Sequence, residues 1–488
     1  MPRVSQVTSL LFPDTAKGLG PCAVTYDQYI ADALCHLRDT SVFQQLSPPE
    51  AQSLANSTAL TIEEWVTDHQ NILCPMDATY ICRHVANNHT SPFAQFYILY
   101  KIHKPKKSNG QWPTRPVTSD VTSYPHSLGK WVDQELQPLA RKQASFFKDS
   151  FELKSILSKL TVHPSARLFT ADATSMYTNI KTDVALTLIS QLIHQELYKP
   201  QQPSYTKALI SALHIVFTNS IVKFGDTYWR QTSGTGMGIA PAPPWATIFY
   251  ALHEQHFIPK WRTHLIFYKR FIDDIIGIWL PHPDRATDTS LWSAFCHDLQ
   301  QWHGLEWTIS PLSTQCNFMD LALTLTPTGK IDTNLFEKIQ NLYLYIPPGS
   351  AHPKGMIKGL IFGNTLGIMR LCSHEDDVSS HLMNFKTRLL ARGYPLSLLD
   401  PLFLQATQHA KTFITNHGRH HVTPPPPHNP STKIFLHLEF HPEDPKPQAI
   451  HRLWQEYVSE PEGERPLRDM CNSLKEKVNL DRLTIAYS

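Results

Sequence analysis

A chain of 488 residues with 41% hydrophobic content is long enough for about three folded units at roughly 150 residues each, which excludes a peptide, a disulfide-stapled miniature and a disordered tail. Its 44 Lys plus Arg nearly balance 42 Asp plus Glu, so net charge announces no polyanion partner, and any nucleic-acid surface has to be local. The eight cysteines are scattered without a CxxC pair, as in a reduced intracellular protein. Leu10, Leu11 and Phe12 precede Pro13 without a signal-peptide core, and no run nears the ~18 apolar residues of a membrane span. The expected location is inside the cell, off the membrane.

Residues 1–95 read as a polar, helical extension, with a helix start at Ser47–Glu50 where prolines fill the first positions. An apolar, strand-like run then feeds a basic, proline-broken hairpin or loop, LYKIHKP to TRPVTS. Residues 96–150 hold nine Lys plus Arg against four Asp plus Glu, a local basic patch that the whole-chain sum conceals. The middle, to about residue 335, mixes short apolar strands with longer helices and is expected to contain an antiparallel sheet. Residues 336–422 are again basic and partly helical, and residues 352–420 carry eight Lys plus Arg against four acids. Four consecutive prolines, Pro424 to Pro427, open a last segment at 423–488.

The chemistry gathers in three places. In FYKRFIDDIIGIW, residues 267–279, Asp273 and Asp274 interrupt β-prone apolar flanks. Charges there are costly unless a turn or a cation justifies them, and a tight hairpin presenting both carboxylates to a divalent metal does so. An ordinary Asp-rich turn is the plainer reading. In RLFTADATSMYTNI a strand carries Asp172 near its end, with Tyr177 five residues later at a helix start; alone, Asp172 reads as a helix N-cap and Tyr177 as core. One carboxylate on a strand and two on a hairpin, meeting in one sheet, are how two Mg²⁺ ions are held for phosphoryl transfer. All-oxygen ligands favour Mg²⁺ or Mn²⁺ over zinc. Between these segments, QTSGTGMGIAPAPPWATIF carries glycines at 234, 236 and 238 that let backbone approach a ligand, in a spacing that fits neither a P-loop nor a dinucleotide fingerprint.

In this order the segments resemble the blocks of a reverse transcriptase, most closely those of the Penelope-like retroelements, a group related to telomerase reverse transcriptase. LYKIHKP with TRPVTS resembles the fingers, FTADATSMYTNI and SGTGMGIAPAPPWAT the first two palm blocks, YKRFIDDIIGIW the metal hairpin, and NLYLYIPPGSAHPKGMIKGLIFGN the primer grip and thumb entry. The resemblance implies an α+β right-hand polymerase: fingers and an antiparallel-sheet palm over 96–335, a helical thumb over 336–422, and a helical N-terminal extension. It implies RNA-directed DNA synthesis from a DNA primer, an RNA template and dNTPs with two Mg²⁺ ions.

By position, Asp172, Asp273 and Asp274 become the catalytic acids, with the Ala173 carbonyl completing a metal sphere. Arg115 and Lys104 become triphosphate contacts, and Tyr177 a ring that excludes a ribose 2′-hydroxyl. Gln231, Gly236, Met237 and Gly238 would frame the nascent base pair, and Tyr345, His352 and Lys358 would contact primer and template. Phe271 stands where most relatives have tyrosine, and Ile248 where asparagine is frequent. The final residues resemble the linker before a GIY-YIG endonuclease, yet no such pattern occurs, as expected of an endonuclease-deficient lineage or of a truncated copy, with any nicking activity supplied separately. A nuclear location follows from the resemblance. The alternative is a catalytically decayed or domesticated relative that binds RNA or an RNA·DNA hybrid. His417, His420 and His421, without nearby cysteine, are expected to face solvent rather than bind metal.

Overall fold

The computed structural model describes residues 10–16, 19–200, 203–338, 340–350, 352, 355–417, 434–438, 447–459 and 483–487. The chain divides into two compact units. The first comprises Met1–Asp149, Lys159–Asp332 and Phe336–Leu342; the second comprises Ser150–Ser158, Thr333–Leu335 and Tyr343–Ser488.

The first unit holds a four-stranded antiparallel sheet in the order Trp307–Ile309, Arg167–Ala173, Asp274–Trp279, Leu265–Phe271. Alternation along RLFTADA buries Phe169, Ala171 and Ala173 on one face and leaves Asp172 exposed on the other. On the buried face Phe169 meets Trp292 at 5.1 Å and Phe295 at 5.5 Å, both from the helix Arg285–Gln300. Phe169 lies opposite Gly277, where a Cβ would stand 2.2 Å from its ring. Only glycine therefore lets that ring cross the neighbouring strand.

The helix Ala242–Phe257 opens in the proline cluster, where a missing N–H costs nothing, and buries Trp245, Ile248, Phe249 and Tyr250. Trp245 stacks on Phe217 at 4.0 Å. Ile248 is wholly enclosed in this core, a place where an apolar side chain leaves no polar group to satisfy.

A five-stranded sheet in the same unit runs Phe43–Leu46, Thr227–Gln231, Ile221–Phe224, Ala94–Tyr100, Thr114–Ser119. The last two strands form the expected hairpin, with Arg115 paired to Leu99. The first strand comes from the N-terminal segment, pairing Phe43 with Gln231. That segment also supplies the helix Pro48–Asp68, whose Ser47 and Glu50 form a reciprocal capping box. Its Ala51, Ala55, Ile62 and Trp65 enter the same core as Trp131 and Leu213, and Trp65 donates its indole N–H to Ser211 Oγ at 2.9 Å. The helical extension is thus packed into the first unit rather than hung from it.

The second unit is built on the helices Met356–Leu371, Glu375–Ala391 and Leu396–His417 around Ile361, Phe385, Leu389, Leu399, Phe403 and Ala406. Its basic count does not translate into a bare cationic wall. Arg388 lies 3.5 Å from the centre of the Tyr343 ring, Arg370 lies 4.1 Å from that of Phe151, and Arg392 donates to the Tyr345 carbonyl. Lys386 pairs with Asp400, so at least four of the eight cations in residues 352–420 are engaged inside the unit. Farther on, Ile434–Leu438 and Leu483–Tyr487 pair in parallel. Pro424 to Pro427, His420, His421 and Cys471 lie outside the described residues. Among the described residues no cysteine forms a disulfide, and no helix is long and apolar enough to cross a membrane.

Candidate active site

The two strands that carry the candidate carboxylates are neighbours in exact register: Asp274 is the cross-strand partner of Asp172. Directly opposed residues share a face of the sheet, so both side chains stand on the same side. Asp273 sits one residue earlier, in the two-residue turn between Phe271 and Asp274. The Ala173 N–H donates to the Asp273 carbonyl at 2.9 Å, tying strand to turn where the three acids emerge. Asp172 is therefore a strand residue and not a helix cap.

The turn itself is unusual. Its first residue, Ile272, has φ +56°, a left-handed conformation that type II′ hairpins normally give to glycine. A β-branched side chain there is strained by about 1–3 kcal/mol, so the surroundings have to hold it.

Two of these acids, Asp273 and Asp274, hold their protons more tightly than a free carboxylate. Burial, then the charges of Asp273 and Asp172 and the chance for a protonated Asp274 to donate to Asp172, push Asp274 up to about 7; Lys338 pulls the other way. Asp273 is also raised, by burial first and then by Asp172, against its own N–H, Arg115 and Arg270. Among the described residues no three Asp, Glu, His or Cys side chains already converge as a closed metal cage. A facing carboxylate pair beside a third acid is nonetheless short of positive charge, and its oxygen-only donors suit Mg²⁺ or Mn²⁺.

Other expected residues fall around this cluster unevenly. Arg115, half-buried on its strand, is close enough to lower the Asp273 pKa. Tyr177, half-buried in the short helix Met176–Asn179, is pushed up to about 12 by burial and by the Asp273 charge. Lys104 is exposed in the loop after Tyr100, its N–H bonded to the Lys101 carbonyl at 3.0 Å. Nothing ties it to the carboxylates.

The glycine loop does something different from what its composition implied. The approach that glycine permits is to the protein's own backbone and side chains: a Cβ on Gly236 would meet Thr118 Cβ at 2.9 Å, one on Gly238 the Thr118 carbonyl oxygen at 2.3 Å, and one on Gly234 the Thr178 carbonyl oxygen at 2.5 Å. The Met237 carbonyl accepts from the Thr118 N–H at 2.8 Å, and the Tyr177 carbonyl accepts from the Thr235 N–H at 2.7 Å. The loop clamps the strand of Arg115 to the helix of Tyr177. Gln231 is buried, donates Nε2 to the Ser233 carbonyl at 3.1 Å, and leaves Oε1 without a partner.

Tyr345, His352 and Lys358 belong to the second unit. Tyr345 packs on Phe385 at 5.4 Å, His352 is exposed with Nδ1 2.7 Å from Ser350 Oγ, and Lys358 is exposed over the Phe362 ring at 5.3 Å.

Two residues escaped the sequence reading. Arg270 and Glu254 form a fully buried ion pair, Nε to Oε1 at 2.6 Å, immediately behind the Ile272–Asp273 turn. The only hint was an arginine inside the β-prone, mostly apolar run FYKRFI.

A family model described as an animal helix-turn-helix domain matches residues 344–403, the stretch containing Met356–Leu371 and Glu375–Ala391. No curated protein matches the chain. Among solved structures, telomerase from Candida albicans in complex with the TWJ fragment of telomeric RNA aligns over 83% of this chain and 66% of its own, with TM-score 0.52 and 9% identity. Apo telomerase from Candida tropicalis aligns over 84% and 67%, with TM-score 0.44 and 11% identity. A Sicinivirus RNA-dependent RNA polymerase aligns over 69% and 71%, with TM-score 0.40 and 13% identity. The chain thus spans just under two thirds of the Candida albicans protein, and at that identity the likeness is one of fold. The mixed helix-and-sheet architecture of this chain is similar in fold to that telomerase structure.

Proposed function

We propose that this chain is an RNA-directed DNA polymerase of the Penelope-like kind, joining dNTPs to a DNA primer 3′-hydroxyl on an RNA template. The observation that carries the reading is the register of Asp172 against Asp274, with Asp273 in the adjoining turn. In this reading the first unit supplies fingers and palm, and the helices from Met356 supply a thumb.

Asp172, Asp273 and Asp274, with the Ala173 carbonyl, are the residues that would hold two Mg²⁺ or Mn²⁺ ions. Bound there, the ions would make the 3′-hydroxyl more acidic and offset charge on the departing pyrophosphate. Arg115 extends that countercharge from a strand held in place by the Thr118–Met237 bond, which suits it to the triphosphate. Lys104, exposed in the loop after Tyr100, would join it only at the outer phosphates. Tyr177 offers the ring that discriminates against a 2′-hydroxyl, because its backbone is fixed by Thr235 and its phenol sits near Asp273. Gln231 and the loop Gly236–Gly238 would border the nascent pair, and Tyr345, His352 and Lys358 would follow the primer and template. Hybrid recognition would rest on shape and phosphate contacts. A nuclear location belongs to the same reading.

The test is extension of a DNA primer on an RNA template with Mg²⁺ or Mn²⁺, beside Asp273→Asn. Incorporation by the wild-type chain alone supports the proposal. No incorporation by either protein, with hybrid binding intact, would transfer the assignment to a non-catalytic hybrid binder.

A further inference from the structure

The buried pair behind the candidate site has more hydrogen bonds than a packing role requires. Arg270 is 1% exposed and Glu254 4% exposed. The guanidinium donates Nε to Glu254 Oε1 at 2.6 Å, and Nη2 to Glu254 Oε2 at 3.0 Å and to the Thr247 carbonyl at 2.9 Å. Its remaining arm, Nη1, donates to the carbonyl of Ile272 at 2.8 Å. Glu254 is fixed in turn by the Tyr268 hydroxyl at 2.8 Å and by Ser145 Oγ, and the Tyr250 ring lies 5.0 Å from the guanidinium.

Desolvating two charges is costly, and well-packed apolar residues of similar volume commonly do as well or better for stability. An apolar pair cannot donate to a carbonyl. The bond to Ile272 lands on the one turn residue with a left-handed φ of +56°, immediately before Asp273. Arginine suits the task because its planar fork reaches Glu254, Thr247 and Ile272 together, which a lysine ammonium on a flexible stem does not.

We propose that Arg270, oriented by Glu254, is a positioning residue for the candidate metal site: it holds the Ile272 turn so that Asp273 stands beside the Asp172–Asp274 pair. The proposal rests on the polymerase reading above for its functional meaning, and its test is chosen to be readable without catalysis. The nearby guanidinium also favours the ionised form of Asp273.

The experiment measures Mn²⁺ binding by electron paramagnetic resonance on the full chain without substrates, together with thermal unfolding. Three proteins are compared: wild type, Arg270→Met/Glu254→Leu, and Arg270→Lys. The double variant is expected to keep its unfolding temperature while its Mn²⁺ affinity falls about tenfold, in line with the large cost of small misplacements in preorganised sites. Arg270→Lys retains a charge for Glu254 and is expected to stay folded with a similar loss, so the test stands even if the double variant fails to fold. Adding Ile272→Gly to either background is expected to recover part of the affinity, because glycine adopts the left-handed turn without strain. Wild-type Mn²⁺ affinity in a folded variant, or no recovery with Ile272→Gly, would overturn the positioning role. Absence of primer extension by the wild-type chain, with Mn²⁺ binding weakened as described, would instead overturn the polymerase reading and leave this inference standing.

Discussion

Asp172 and Asp274 are direct cross-strand partners on adjacent antiparallel strands, so their carboxylates stand on one face of the sheet. Burial and the charges of the neighbouring acids make Asp274 favour a proton, or a cation in its place. The pair therefore couples the sheet's stability to pH and to divalent ions.

The sign of that coupling is fixed by the direction of the shift. Asp274 titrates near 7 when folded and near about 4 when unfolded, so between those values the native state retains a proton that the unfolded chain has lost. Metal-free protein is expected to lose stability as pH rises through this window, by about 1 kcal/mol once solvent screening of a half-exposed group is allowed for. Thermal unfolding at pH 5 and pH 8 checks this. Asp274→Asn should flatten the difference, and millimolar Mg²⁺ should shrink it in the wild type.

Gly236 is expected to tolerate no side chain. An alanine Cβ would sit 2.9 Å from both Cβ and Oγ1 of Thr118, atoms fixed by a strand that cannot recede. Gly236→Ala should cost about 1–3 kcal/mol in unfolding experiments, as overpacking does. Gly359→Ala is the contrast: nothing lies within 4 Å of its Cβ position in the helix Met356–Leu371, and a gain of up to about 1 kcal/mol from helix propensity is expected. Equal effects would remove the packing explanation for the loop glycines.

Tyr177→Ala should admit ribonucleotides more readily, read as the ratio of kcat/KM for a dNTP and its ribonucleotide counterpart. Because the Thr235–Tyr177 contact is made by backbone, the loop should survive the change. Unchanged discrimination would take Tyr177 out of the sugar filter.

Hybrid binding should weaken as salt rises, since phosphate contacts release counterions. With Arg370, Arg388 and Arg392 already held by Phe151, Tyr343 and Tyr345, the slope of log affinity against log salt should be shallower than the formal count of cations implies. Lys358→Ala should reduce that slope by about one, and Arg388→Ala should act mainly on stability. A larger slope change for Arg388→Ala would contradict the division between exposed and engaged cations.

Local patterns carried much of this molecule. RLFTADA alternates as a strand must, FYKRFIDDIIGIW breaks its apolar run where the chain turns, and Ser47 with Glu50 forms the capping box that their spacing announces. Features decided by distant partners were not legible. Phe43–Leu46 becomes a strand because Thr227–Gln231 lies beside it, and the loop glycines are required by Thr118 and Thr178. Arg270 is a surface-type residue until Glu254, sixteen positions earlier on a helix, is brought against it. Net charge shares the same limit: a count of arginines does not distinguish a guanidinium facing solvent from one lying on a tyrosine ring.

The most direct measurement is single-nucleotide extension of a labelled DNA primer on an RNA template, with each dNTP supplied separately, for the wild-type chain, Asp172→Asn and Asp273→Asn. The expected result is template-matched incorporation by the wild type in Mg²⁺ or Mn²⁺, reduced at least about a thousandfold in both variants, while hybrid binding changes little. Incorporation that survives in either variant, or that ignores the template base, would contradict the assignment of these carboxylates to RNA-directed DNA synthesis.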